Sequence, residues 1–117
     1  GLARVRNHLA TASLEKKLGT DVLTPHGYGA FWNGQKWVKC TPVFNRALCH
    51  KLGTSPLEWD AVNDVLFQPV DSGGQRFMEY IVDYGLFTTV PMDFIRDQLW
   101  EMYPHAFDGD GNWSLPA

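Results

Sequence analysis

The chain has 117 residues, a formal net charge of −3, and a composition that is 44% hydrophobic and 20% charged. These values are typical of a globular domain, and five Trp, seven Phe and four Tyr argue against a disordered chain. No run of clustered Lys and Arg is present, which argues against dedicated nucleic-acid binding, and the apolar runs are too short to span a bilayer. We therefore expect neither a nucleic-acid nor a membrane partner.

In chain order, the pattern predicts a strand, a short helix, two strands, a helix, two strands and a long helix: residues 2–8, 13–18, 27–31, 35–40, 42–52, 65–70, 77–84 and 91–103. The pattern of residues 77–84 also fits a helix, and we favour the strand. Asn33-Gly34 is a strong hairpin signal. Thr41 is predicted as the N-cap of the next helix, and Pro42 as its first residue. Residues 105–117 are predicted as a loose C-terminal tail. The fold class is therefore α+β: an antiparallel β-sheet with a central hairpin, flanked by helices.

The predicted hairpin fixes the surroundings of His26. A two-residue loop would pair Tyr28 with Lys39 and His26 with Thr41. Because side chains alternate across a strand, His26 and Cys40 would then project from opposite faces, so Cys40 could not serve as the nucleophile of His26. A bulge at the glycines beside Tyr28 would alter this register. An imidazole suits acid–base catalysis because its ordinary pKa is near neutral.

Neither cysteine is part of a CxxC pair, and two cysteines are too few for a disulfide framework. We therefore expect Cys40 and Cys49 to be reduced thiols in a cytoplasmic protein. The four histidines lack the spacing of metal ligands, so the sequence predicts no metal site. These histidines are His8, His26, His50 and His105. We also expect no cofactor.

The segment that begins at His26 reads HGYGAFW, followed by NG at 33–34, KWV at 36–38 and TPVFN at 41–45. This run resembles the transglutaminase-like core family, and more closely a bacterial subgroup of transglutaminase-like proteins. In that family the catalytic histidine begins one strand, and a tight turn and a strand with a Trp-Val pair follow. The resemblance extends to about Ile95, and further matching segments lie at 6–9, 57–60, 66–67 and 78–80.

The resemblance implies a papain-like cysteine-hydrolase domain, in which a cysteine thiolate attacks an acyl carbon and a histidine transfers the proton. His26 matches the histidine. The family's cysteine lies upstream of the strand that residues 2–6 resemble, and neither Cys40 nor Cys49 matches its position. We therefore expect residues 1–104 to be the C-terminal portion of such a domain, without its nucleophile.

The family's acidic third residue falls at Thr41, which cannot supply a negative charge. Asn45, one helical turn further on, is the candidate for a polar group that orients the imidazole, as in papain-like enzymes. Otherwise Asn45 is a capping or surface residue. Asp60 and Asp64 are further candidates that the sequence does not place.

The leading hypothesis is a portion of a cysteine-dependent acyl-transfer or amide-hydrolysis domain, with His26 as general base and a protein or peptide amide as substrate. The isolated chain is expected to be inactive. The alternative is a non-catalytic binding module that retains the fold, which the missing nucleophile and Thr41 favour. Loss of the cysteine helix would bare apolar surface, so we also expect self-association.

Overall fold

The computed structural model describes residues 1–8, 12–41, 44–66 and 71–115. Within these ranges the chain forms five strands, β1 to β5, and three α-helices, α1 to α3, followed by a 3₁₀ turn at Pro104–Ala106. In chain order these are β1 Leu2–Asn7, α1 Ala12–Leu18, β2 Val22–Gly27, β3 Gly29–Trp32, β4 Trp37–Cys40, α2 Arg46–Leu52, β5 Met78–Gly85 and α3 Met92–Met102. The α+β class with antiparallel pairing is confirmed.

The larger sheet has the order β2-β1-β5, with both neighbours antiparallel to the central strand β1. Ala3 and Val5 of β1 are fully buried, and they form the core with Tyr28, Phe77 and Met78. Alternating side chains of β1 thus bury one face of the sheet, as expected for a half-covered antiparallel strand.

Helix α3 packs against the opposite face of this sheet. The Gln98 side-chain oxygen accepts hydrogen bonds from Arg4 of β1 (2.8 Å), Thr24 of β2 (3.1 Å) and Tyr84 of β5 (3.0 Å). One glutamine therefore contacts all three strands, and it fixes the helix to the sheet through partly buried polar groups.

The predicted register of the hairpin is wrong by two residues. Strands β3 and β4 pair Ala30 with Lys39 and Trp32 with Trp37, so the loop contains residues 33–36. The Asn33 side-chain oxygen accepts hydrogen bonds from the amides of Gln35 (3.0 Å) and Lys36 (2.9 Å). This Asn33 turn stabilises a four-residue loop in place of the predicted two-residue loop.

The predicted start of the second helix is also wrong. Helix α2 begins at Arg46, and Asn45 is its N-cap because its side chain accepts a hydrogen bond from the Leu48 amide. Thr41 lies four residues earlier, outside the helix, and its amide donates to the Val65 carbonyl at 2.8 Å. Pro42 lies outside the described residues. The predicted end at Gly53 is confirmed, with the left-handed φ of 67° that favours glycine.

The strand predicted at 65–70 is represented by a single parallel bridge between Val65 and Cys40, and residues 67–70 lie outside the described part of the chain. Residues 105–115 differ from the predicted loose tail. The Phe107 ring stacks on Trp100 of α3, with centroids 4.4 Å apart, and Phe107 forms a bridge with Trp113. Aromatic packing therefore holds this segment against α3.

Candidate functional site

His26 lies near the end of β2, where it pairs with Ala3 of the central strand. Its ring is partly buried, and its edge-to-face contact with Tyr80 of β5 has a centroid separation of 6.0 Å and an interplanar angle of 74°. Desolvation lowers the pKa of His26 below its ordinary value of 6.5. The imidazole is therefore neutral at neutral pH, which is the form that can accept a proton.

The predicted neighbours of His26 across the hairpin are not its partners. Thr41 does not pair with His26, because β2 belongs to the larger sheet and β3 to the separate hairpin sheet. Tyr28 lies between these two strands. It is 7% exposed, and its backbone hydrogen-bonds to Gly1 in both directions, at 2.7 and 3.0 Å. Tyr28 therefore marks the point where the chain passes from one sheet to the other.

A second polar group of the site is Asp83 of β5, which sequence reasoning did not single out. The Tyr28 hydroxyl donates to Asp83 Oδ1 at 2.6 Å, and the Gly85 amide donates to the same oxygen at 2.8 Å. Lys39 of β4 donates to Asp83 Oδ2, and its ammonium group lies 5.6 Å from the centre of the Tyr28 ring. We call Tyr28, Lys39 and Asp83 the sheet-junction cluster.

The charges of this cluster are set by these contacts. Desolvation raises the pKa of Asp83, but the hydrogen bonds from Lys39, Tyr28 and Gly85 outweigh it, so the pKa lies below its ordinary value. Burial, and then the hydrogen bond to Asp83, raise the pKa of the Tyr28 hydroxyl. Tyr28 therefore remains a neutral donor and Asp83 an ionised acceptor at neutral pH.

The other candidate residues are engaged in hydrogen bonds with backbone amides. The Asn45 side-chain oxygen is occupied by the Leu48 amide at 2.8 Å. Asp60 is exposed, and the amides of Asn63 and Val62 lower its pKa to about 2. Asp64 accepts the backbone amide of Lys39 at 2.8 Å. The structure brings neither Asp60 nor Asp64 into a hydrogen bond with His26.

Cys40 and Cys49 are both free thiols, and Cys49 is buried in α2 with 3% exposure. Cys40 is partly exposed, and it lines a mainly apolar cavity of about 380 Å³. The other residues around this cavity are Phe31, Thr41, Leu57, Trp59 and Val65. The thiol of Cys40 therefore belongs to the surroundings of the hairpin sheet, whereas His26 belongs to the larger sheet.

Among the residues that the structure describes, no group of three or more His, Cys, Asp or Glu side chains could hold a metal ion. No helix within those same ranges has the length and apolar character needed to cross a membrane. No protein-family model, no curated protein and no solved structure matches the chain.

No local sequence motif links His26 to Tyr80, Lys39 or Asp83. Both His26 and Asp83 pair with Ala3, and these two partners lie 23 and 80 residues after Ala3 in the sequence. A strand pattern predicts that β5 exists, but it does not predict which strand β5 will pair with.

Proposed function

We propose that His26 is the general base of a cysteine-dependent acyl-transfer or amide-hydrolysis domain of the papain-like, transglutaminase-like type. The observation that carries the proposal is a partly buried imidazole with a lowered pKa at the start of the HGYGAFW motif. Burial keeps the ring neutral, and a neutral ring is required to take a proton from a thiol.

The chemistry assigned to His26 is proton transfer. Its ring nitrogen takes the proton of a cysteine thiol, and the thiolate adds to the carbonyl carbon of a carboxamide. The resulting imidazolium returns that proton to the departing amine as the carbon–nitrogen bond breaks and a thioester forms. Water or a second amine then attacks the thioester, and His26 accepts the proton of the attacker. The carbon–sulfur bond breaks, and the departing cysteine thiolate recovers a proton from the imidazolium, which regenerates the thiol and the neutral ring. The proposal assigns the nucleophile to a cysteine outside these 117 residues.

The isolated chain is accordingly proposed to be inactive, with a protein or peptide amide as the substrate of the complete protein. Asn45 remains the candidate for orienting the imidazole. That role competes with its function as the N-cap of α2, because the same side-chain oxygen accepts the Leu48 amide. Replacement of Asn45 by Ser separates the two roles, since Ser caps helices but offers no amide.

The second candidate is a non-catalytic binding module. It is favoured by the exposed aromatic side chains of the hairpin, since Phe31 is 51%, Trp32 50% and Trp37 57% exposed. Exposed apolar surface of this kind is typical of protein interaction sites. For a module of this type, replacement of His26 would leave partner binding unchanged, and no amide would be turned over.

The test is an amide-turnover assay on the protein as encoded, including any sequence that adjoins residues 1–117. Ammonia release from a glutamine-containing peptide is measured with and without a fluorescent primary amine. Loss of a general base costs about 10²- to 10⁴-fold, so His26→Gln should abolish most of the turnover. His50→Gln is the matched control, because His50 is exposed on α2. Absence of turnover in the native protein, or equal activity of the two variants, would refute the proposal.

A further inference from the structure

We propose that Asp83 is a positioning residue for His26, acting through the hydroxyl of Tyr28. The sheet-junction cluster joins three parts of the molecule: Asp83 comes from the larger sheet, Lys39 from the hairpin sheet, and Tyr28 from the link between them. His26 stands two residues before this link. The inference concerns the orientation of the imidazole, and it deepens the role proposed for His26.

The pairing of the sheet places His26 and Asp83 in one row. Ala3 of the central strand pairs with His26 on one side and with Asp83 on the other. Directly paired residues project from the same face, so the side chains of His26 and Asp83 share the core-facing side of the sheet. Two strand spacings separate their Cα atoms by roughly 10 Å. The Asp83 carboxylate receives hydrogen bonds from Tyr28, Lys39 and Gly85, so an effect on the imidazole is assigned to one of these partners.

Tyr28 is the side chain that connects Asp83 to the surroundings of His26. Its buried ring packs in the core cluster with Ala3, which lies between His26 and Asp83, and its hydroxyl bonds to Asp83 at 2.6 Å. Tyr80, which contacts the His26 ring, packs against the same cluster. Movement of Tyr28 would therefore displace both the backbone that follows His26 and the ring that touches its imidazole.

Asp83 is suited to hold Tyr28 because its own position is fixed from two sides. Lys39 and the Gly85 amide both donate to its carboxylate, one oxygen each. A carboxylate that receives several charge-assisted hydrogen bonds is a strong and directional acceptor. The neutral Tyr28 hydroxyl therefore has a stationary partner, and the junction between the two sheets is held at one defined separation.

The test uses the 117-residue chain and NMR of the His26 ring, which reports the imidazole without any assay of turnover. Tyr28→Phe retains the ring and removes only the hydroxyl. We expect the NOE between the His26 and Tyr80 rings to weaken several-fold in this variant, and the pKa of His26 to move toward 6.5 as water reaches it. Asp83→Ala should have the same effects, and Asp83→Asn should restore much of the NOE because it retains an acceptor oxygen.

The matched control is Tyr84→Phe. Tyr84 also donates a hydroxyl to a side-chain oxygen, that of Gln98 at 3.0 Å, but on the face of the sheet that α3 covers. A purely structural role for Tyr28 would give the two variants equal losses of thermal stability and unchanged His26 signals in both. That result would overturn the inference, even if Asp83→Ala does not fold. A native NOE pattern without amide turnover in the complete protein would count against the proposed function alone.

Discussion

Replacement of Tyr103 by Phe removes one oxygen atom that serves two backbone groups of β2. The Tyr103 hydroxyl donates to the Val22 carbonyl at 2.7 Å and accepts from the Thr24 amide at 3.0 Å. Among the strands that the structure describes, β2 lies at the edge of its sheet, so these two groups have no strand partner there. Tyr103 and Thr24 are each 3% exposed, which leaves little access for water to replace the hydroxyl.

Each buried backbone group that loses its partner costs about 1–3 kcal/mol, so we expect Tyr103→Phe to lower the free energy of unfolding by about 3 kcal/mol. The total free energy of unfolding of a domain of this size is only about 5–15 kcal/mol. The same loss corresponds to a fall in melting temperature of roughly 10 °C. Urea denaturation followed by tryptophan fluorescence, together with differential scanning calorimetry, measures both quantities.

The control is Tyr80→Phe, because the Tyr80 hydroxyl is buried without a hydrogen-bond partner in the described part of the chain. Removal of an unsatisfied hydroxyl should leave stability unchanged or raise it by about 1 kcal/mol. Equal stabilities of Tyr103→Phe and the native chain would refute the argument that the hydroxyl satisfies the edge of β2.

Three further predictions concern His26, Asn45 and Gly53. Burial lowers the pKa of His26 in the folded chain below the ordinary value of 6.5, which applies to the unfolded chain. Below about pH 6.5 the unfolded chain therefore binds more protons at His26 than the folded chain, so the free energy of unfolding falls as pH decreases through the folded-state pKa. In His26→Gln, the midpoint of urea unfolding should therefore depend less on pH between about pH 5 and 7 than it does in the native chain. Asn45→Ala should cost about 1 kcal/mol through loss of the N-cap, and Asn45→Ser only a few tenths, in the same urea assay. Gly53→Ala should cost about 1 kcal/mol because φ is 67°, whereas Gly27→Ala, where an added Cβ meets nothing within 4 Å, should cost less than half of that.

The hydrophobic pattern and the turn residues were sufficient to predict several helices and strands. The strand at the start of the chain, the short helix before Gly19 and the strand from Met78 follow the predicted ranges closely. Strand β2 was not predicted, because Thr24-Pro25 interrupts the alternation of apolar and polar residues in this segment. The strand is instead stabilised by its pairing with β1. The sequence also misplaced the hairpin register, because the Asn33 side chain can stabilise either a short or a longer loop.

The candidate site depends still more on distant contacts. The sequence alone predicts that His26 lies in a strand-rich segment. The contact of His26 with Tyr80, and its alignment with Asp83 across the sheet, follow from the β2-β1-β5 strand order. Asn45 illustrates a different limit. A residue that precedes a helix can serve as a cap or as a catalytic amide, and only the observed bond to Leu48 shows that its oxygen is already in use.

The order of the larger sheet has a consequence for synthesis of the chain on the ribosome. The central strand β1 is made before both of its neighbours and can pair with β2 soon afterwards, but its other edge must await β5, which begins at Met78. At about 5–20 residues per second, that edge remains open for several seconds. During this interval β1 offers unpaired backbone groups to any other extended chain, which makes β1 the segment where aggregation of the nascent protein would begin.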